Sequence, residues 1–354
     1  MRDLIAALND WSVSLAGKEA ASAKTSEQAA QDALRTLSQE LSPVIAELTR
    51  RKEVARLRIA PDGILNLVPF GALADTRGKF LIQHFSISYV SAGRDLTGVS
   101  TGAAATSVVI AVSPGASRKS ASIASGGAFR AERLERLEDA ELEARDVKKW
   151  IPRAQLLNEG EATEQRIKQL HHTALLHIVG HGIVRGNEDC KVDPSSPACQ
   201  LGSMDPAARV MSLSAIVLEE AYGRGGASSQ DGLLTALELQ SLDLQGTQML
   251  VLSQCRMADG MPSSGEGVFG MRRAAAIAGV RTFVAPLWKI ADATEQALMD
   301  GFYKELSAGK GRAEALRAAQ LGLLNNPRTA SFLQWAPVIL SGDPGPLPRA
   351  LFAK

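Results

Sequence analysis

The chain has 354 residues, 45% of them apolar and 22% charged, enough for about two domains or for one large α/β domain with appendages. Lysine plus arginine number 39 and aspartate plus glutamate 38, a net charge of +1, so neither nucleic acid nor an anionic membrane is an expected partner. Three cysteines, Cys190, Cys199 and Cys255, have no framework spacing, and Asp3, Asn9 and Asp10 interrupt the start of the chain; together these read as a cytoplasmic protein without a secretion signal.

Residues 1–42 read as a helical lead-in. Leu34, Leu37, Leu41, Val44 and Leu48 recur at spacings of three and four and predict one apolar face. Ser42 is expected to cap a second helix, with Pro43 in its first turn. From residue 55 the texture turns to β, with strands expected at 55–61, 65–69, 79–90 and 107–114, and turns such as Pro61-Asp62-Gly63 between them. Residues 115–127 are rich in Ser, Gly and Ala and read as a loop, in which Arg118-Lys119 offers a basic site for self-cleavage. Beyond it helices are expected at 139–151, 163–172, 266–278, 292–307 and 311–324, and strands at 155–158, 174–179, 248–253 and 280–285. Such alternation predicts a parallel or mixed sheet covered on both faces, with functional groups just past the strand carboxyl ends.

Two strand ends carry the chemistry. One apolar run leads into Gly180-His181-Gly182, where the glycines let the backbone turn and present an imidazole and an amide. The other ends in Ser253-Gln254-Cys255. A cysteine and a histidine at neighbouring strand ends make a nucleophile and its acid/base partner. His177 lies inside its apolar run and is expected to be a hydrogen-bonded core residue. His177, His181, Cys190 and Cys199 would offer two N and two S ligands, but eight residues between the cysteines is not the tight hook of a structural zinc site. No metal and no cofactor are expected, and residues 186–205 read as an inserted surface loop.

At these residues the chain resembles the CHAT proteases, of the caspase and separase clan. The resemblance runs through PDGILNLVPFGAL, LLHIVGHG, LVLSQC, GEGVFG, AGVRTFVAPLWKIAD, LMDGFYKEL, ALRAAQ and WAPVILSGD, in that order and over residues 43 to 343. Gln254 departs from the small residue usual in the family. The resemblance implies a caspase-like α/β three-layer sandwich with a mostly parallel central sheet, preceded by short N-terminal helices. It divides the chain into a lead-in (1–42), an N-terminal pseudo-caspase-like half (43–130) and a catalytic half (131–354).

The same resemblance implies a cysteine endopeptidase acting on a protein substrate and regulated by a protein partner or an activating signal. Cys255 would attack the scissile carbonyl, His181 would supply the proton to the leaving amine, and the amides of Gly182 and Cys255 would hold the oxyanion. By resemblance to separase, Asp292 and Trp288 would bind the substrate, the carboxylate meeting an Arg or Lys side chain. Asp292 is also spaced to cap the helix that follows, and Lys289 nearby could oppose it. A catalytically silent scaffold and a cysteine-dependent acyltransferase are the alternatives; retention of both His181 and Cys255 favours the enzyme.

Overall fold

The structure, a computed structural model, describes residues 20–91, 107–115, 136–158, 160–184, 211, 214–222, 230–253 and 266–353. Eight strands make one sheet: β1 (Arg56–Ile59), β2 (Ser86–Tyr89), β3 (Ser107–Ser113), β4 (Gln155–Leu157), β5 (Thr173–Gly180), β9 (Met249–Ser253), β10 (Thr282–Pro286) and β11 (Val338–Gly342). Their spatial order is β1-β2-β11-β10-β9-β5-β3-β4. Every neighbouring pair is parallel except β10 with β11. A smaller antiparallel sheet follows β5 in the chain: β6 (Gly182–Val184), β7 (Ser214–Val217) and β8 (Leu233–Thr235).

Strands β5, β9 and β10 are buried at every residue. Continuous apolar runs such as Ala174-Leu175-Leu176 are what a parallel strand covered on both faces requires. On one face lie α4 (Ala140–Trp150) and α8 (Asp292–Ser307), with α9 (Arg312–Leu324) packed on α8. Helix α7 (Glu266–Ile277) packs against β10 and β7. Strands from both sides of residue 130 share the sheet, since β3 lies between β5 and β4. Among the described residues, no helix is long and apolar enough to cross a membrane.

The N-terminal helices, α1 (Ala20–Glu40) and α2 (Ser42–Arg50), dock on this body through Ala30, Leu34 and Ile45. Val44 is exposed rather than part of the apolar face. The reason is local: α2 starts anew at Ser42 with Pro43 in its first turn, which resets the helical register so that Ile45 points inward. Ser42 is itself helical and the cap position falls on Leu41, which makes no side-chain cap.

Only part of the β-rich stretch becomes strand. Residues Gly63–Leu67 coil into a 3₁₀ turn. Pro69 has no N–H to give a ladder, and the adjacent Leu67 and Val68 are both buried. Leu81–His84 forms a single helical turn, α3, because the neighbouring Leu81 and Ile82 must both face inward and Gln83 Oε1 accepts from Phe80 N at 2.9 Å. Helix α5 (Glu164–Lys168) is shorter than the expected 163–172, since the chain turns at His172, with φ 53°, to enter β5.

The end of β11 shows why a glycine and an aspartate stand together there. Gly342 has φ +100°, and a Cβ at that position would lie 2.1 Å from Arg281 O, so no other residue fits. Asp343 accepts from the buried Arg312 at 2.5 Å, whose guanidinium also donates to Gly345 O at 2.7 Å and Gln248 O at 2.8 Å. One arginine thus ties the start of α9 to the end of β11 and to the entry of β9. Replacing Arg312 by Met keeps the volume but leaves two carbonyls unmet, and urea denaturation should show a loss of about 3 kcal/mol; a change under about 0.5 kcal/mol would refute this role.

Candidate active site

The sheet reverses its winding between β3 and β5: from β3 the chain moves outward to β4, then returns to the other side of β3 for β5 and continues to β9 and β10. In open α/β sheets the crevice at such a reversal, beyond the strand carboxyl ends, is where ligands bind. Gly180-His181-Gly182 stands there. Gly180 is opposite Ser113 in register, and a Cβ on it would lie 3.3 Å from Ser113 O and 3.5 Å from Val217 O, tight enough to explain the glycine. His181 is 5% exposed, and its carbonyl accepts from Val217 N at 2.8 Å.

That bond fixes the direction of the next amide. With His181 O bonded to Val217 N and Gly182 opposite Ile216, Gly182 falls in a position of the antiparallel ladder whose N–H points away from β7. On the other side of β5 lies β9, paired in parallel with Val179 opposite Ser253. Cys255, two residues further along the sequence, lies outside the described residues, as do Gln254, Cys190, Cys199, Arg118 and Lys119.

The small sheet is held over this edge by carboxylates. Glu219 is fully buried; its Oε1 accepts from Ser113 Oγ and its Oε2 from Gly160 N, both at 2.9 Å. Glu220 accepts the first amides of α5, Glu164 N at 2.7 Å and Gln165 N at 3.2 Å, where the helix dipole favours negative charge. Glu164 Oε2 accepts from Gly232 N at 2.8 Å, and its other oxygen meets Lys168 Nζ at 2.5 Å. Lys168 also bonds Glu238 of α6 (Ala236–Leu239) at 2.8 Å. Burial pushes the Glu164 carboxyl above its ordinary value despite the bond from Lys168.

His177 is a core residue, as its place inside the apolar run predicts. Its Nδ1 is 2.8 Å from Tyr303 Oη and its Nε2 is 3.0 Å from Glu143 Oε1, and all three side chains are fully buried. Burial and the Glu143 charge hold the Tyr303 hydroxyl well above its ordinary pKa, so the phenol keeps its proton. Both ring nitrogens are engaged, which removes His177 from the metal-ligand reading; among the described residues no group of three or more His, Cys, Asp or Glu is arranged for a metal.

Asp292 is the first residue of α8, and Ala291 takes the cap position, so the capping role predicted for Asp292 is not the one it has. Its carboxylate lies 3.7 Å from Lys289 Nζ, with side-chain exposures of 22% and 29%. Burial pushes its pKa up, Lys289 draws it back, and the charges of Asp139 and Glu143 push it further up. Trp288 is buried, with its indole N–H on Leu333 O at 3.1 Å and its ring edge-on to Phe332 of α10 (Phe332–Trp335). It anchors the chain between β10 and α8.

Sequence reasoning passed over Glu219, Ser113, Glu143 and Tyr303. The first has a signal: the apolar run 215–218 ends in Glu219-Glu220, a strand followed by acids. A cavity of about 550 Å³ beside α1, bounded by residues 72–80 and 330–332, contains none of the predicted site residues.

A family model for the CHAT domain matches residues 31–343. No curated protein matches the chain in sequence. Among solved structures it is similar to the Arg-specific cysteine proteinase gingipain R (RgpB), at 9% identity and a TM-score of 0.44 over 77% of this chain and 57% of that one. It is also similar to the complex of the Porphyromonas gingivalis RgpB pro- and mature domains, at 9% identity and a TM-score of 0.47 over 91% of this chain and 70% of that one. The chain thus spans a little over half the length of the first of these.

Removing the Lys168 cation tests the carboxylate clasp. Lys168→Met leaves buried Glu164 without its counter-ion and should cost about 2 kcal/mol of unfolding free energy at pH 7. A carboxyl whose folded pKa is raised binds protons more tightly when folded, so it weakens the fold at neutral pH and this weakening fades as pH falls toward the unfolded value. The deficit of the variant should therefore shrink between pH 7 and pH 5, and one that stays constant or grows would contradict the assignment.

Proposed function

The chain belongs to the CHAT domain family, and from that membership we propose that it is a cysteine endopeptidase whose chemistry runs between Cys255 and His181. The observation that supports this most is the register of β5 and β9. Val179 and Ser253 are directly opposite, and His181 and Cys255 each stand two residues beyond them in sequence. A cysteine and a histidine at the same sequence offset past one row of adjacent parallel strands suit a nucleophile and its proton carrier.

In this reading the Cys255 thiolate adds to the scissile carbonyl carbon, the S–C bond forms and the carbonyl electron pair moves to oxygen. The outward amide of Gly182, with that of Cys255, receives this oxyanion, an interaction worth about 3 kcal/mol per donor in other proteases. Collapse breaks the C–N bond, and the His181 imidazolium, which holds the thiol proton, gives it to the leaving amine. Neutral His181 then takes a proton from water, which adds to the thioester; collapse releases the acid and returns the thiolate. Asp292 receives a basic side chain on the acyl side of the cut, and Trp288 fixes the segment that carries it. Lys289 competes for the same carboxylate until the substrate cation displaces it. The substrate is a protein, and a regulatory protein partner or activating signal controls access to the site.

Intact-mass labelling by acyloxymethyl ketone peptides ending in Arg, Leu or Asp tests the assignment. Wild type should gain one adduct, Cys255→Ala none, and His181→Ala should react at least about 100-fold more slowly. Asp292→Asn should lose the Arg probe selectively, by roughly tenfold or more, about 1.4 kcal/mol. A wild-type chain that no probe labels would instead mean a latent enzyme awaiting its partner or the catalytically silent scaffold.

Recognition by Asp292 requires its ionised form, and its pKa is raised by burial. The preference for Arg over Leu should fall as pH drops through that raised value, at a higher pH than an exposed aspartate would give. In Asp292→Asn the preference should be flat with pH; the same pH dependence in both proteins would place the titrating group elsewhere.

A further inference from the structure

We propose that Glu219 is a positioning residue: its buried carboxylate fixes the Gly180-His181-Gly182 turn so that imidazole and amide meet the thiol, an inference that rests on the Cys255/His181 reading. No step of that reaction uses Glu219, yet it is a fully buried acid at the point where the sheet reverses its winding.

Two pieces of chain donate to it, and its own segment holds the histidine. Ser113, the last residue of β3, donates its hydroxyl to Oε1 at 2.9 Å, and this serine is opposite Gly180 in the sheet register. Gly160, in the turn after β4, donates its amide to Oε2 at 2.9 Å. Val217, two residues earlier in the same segment, donates its N–H to His181 O at 2.8 Å. The carboxylate therefore locks the segment that holds His181 to the strand beside Gly180. A Cβ on Gly180 would meet Ser113 Cβ at 3.5 Å and Val217 O at 3.5 Å, so the turn lies directly between the two anchors.

A carboxylate suits this task because its two oxygens accept from a hydroxyl and an amide at once without offering a competing donor. If the clasp loosens, the Val217 to His181 bond loses its fixed origin and the turn gains freedom. Displacements near 1 Å at a reacting group cost roughly 100-fold in rate. The loss would fall on the bond-making step rather than on substrate binding, because Asp292 and Trp288 sit on α8 and the chain leading to it, with no bond to Glu219 among those described.

The test uses the full chain with Glu219→Ala, Glu219→Gln and Ser113→Ala, each checked for folding by urea denaturation. Three quantities are read: the maximal inactivation rate and the half-saturating concentration for the Arg acyloxymethyl ketone, and deuterium exchange of peptides spanning 178–186. Glu219→Ala should lower the maximal rate by roughly 10- to 100-fold with half-saturation changed less than about twofold. Its amides at 180–184 should exchange at least about tenfold faster, with those of α8 unchanged. Glu219→Gln, which keeps an acceptor oxygen, should recover most of the rate, and Ser113→Ala should lie between. A folded Glu219→Ala with wild-type rate and wild-type exchange at 180–184 overturns the proposal, as does a loss that appears only in half-saturation. If Glu219→Ala does not fold, the other two variants decide by the same readouts. In a wild type that no probe labels, latent or silent, faster exchange at 180–184 still supports the clasp and unchanged exchange still refutes it.

Discussion

Burial of the central parallel strands on both faces is the constraint from which the other features follow. Strands β5 and β9 have no solvent-facing side, so a polar group on them must find its partner inside the protein or leave at a strand end. His177 takes the first course, between Tyr303 and Glu143. Beyond Gly180, at the sheet edge, His181 takes the second, its carbonyl accepting from Val217 N at 2.8 Å. The same burial makes the edge rigid, because a strand covered on both faces has one register available.

A second principle governs what lies above the edge. The small sheet of β6, β7 and β8 has a modest apolar core of its own, in which Ala215, Val217, Ala221 and Leu233 pack with Ile183. It is fixed to the body by apolar packing of Ile216, Leu218 and Leu234 into the main core, and by acids: Glu219 on Ser113 and Gly160, Glu220 on the start of α5, Glu164 and Glu238 around Lys168. Apolar contacts are tolerant of sliding, whereas a buried carboxylate with two donors defines a position. On the reaction proposed for this chain, an edge that presents an imidazole and an amide in fixed relation is served better by the second kind of contact. The acid at the head of α8 differs from these: Asp292 faces Lys289 at 3.7 Å and is partly exposed.

Much of this was legible in the sequence. The eight-residue run 173–180 and the shorter 249–253 are apolar enough that only buried strands explain them, and the helix 292–307 was readable to the residue. The family motifs fall on positions with clear physical roles: Gly342 where a Cβ cannot fit, Asp343 on Arg312, Trp288 on Leu333 O. The stretch 65–85 was misjudged because its adjacent apolar pairs, Leu67 with Val68 and Leu81 with Ile82, serve 3₁₀ and helical turns as readily as strands. The small sheet was missed because its strands are three or four residues long and pair across long separations.

The sequence by itself determined which segments are strands and helices of the central layer, and that a histidine and a cysteine leave two of those strands, because periodicity and composition are local properties. Only the tertiary structure decided that these two strands are neighbours in the same register, that His177 is enclosed by groups 34 and 126 residues away in sequence, and that Glu219 reaches Ser113 across 106 residues. Those relations depend on how distant segments pack, and a buried polar group finds its partner through the fold rather than through its neighbours in the chain.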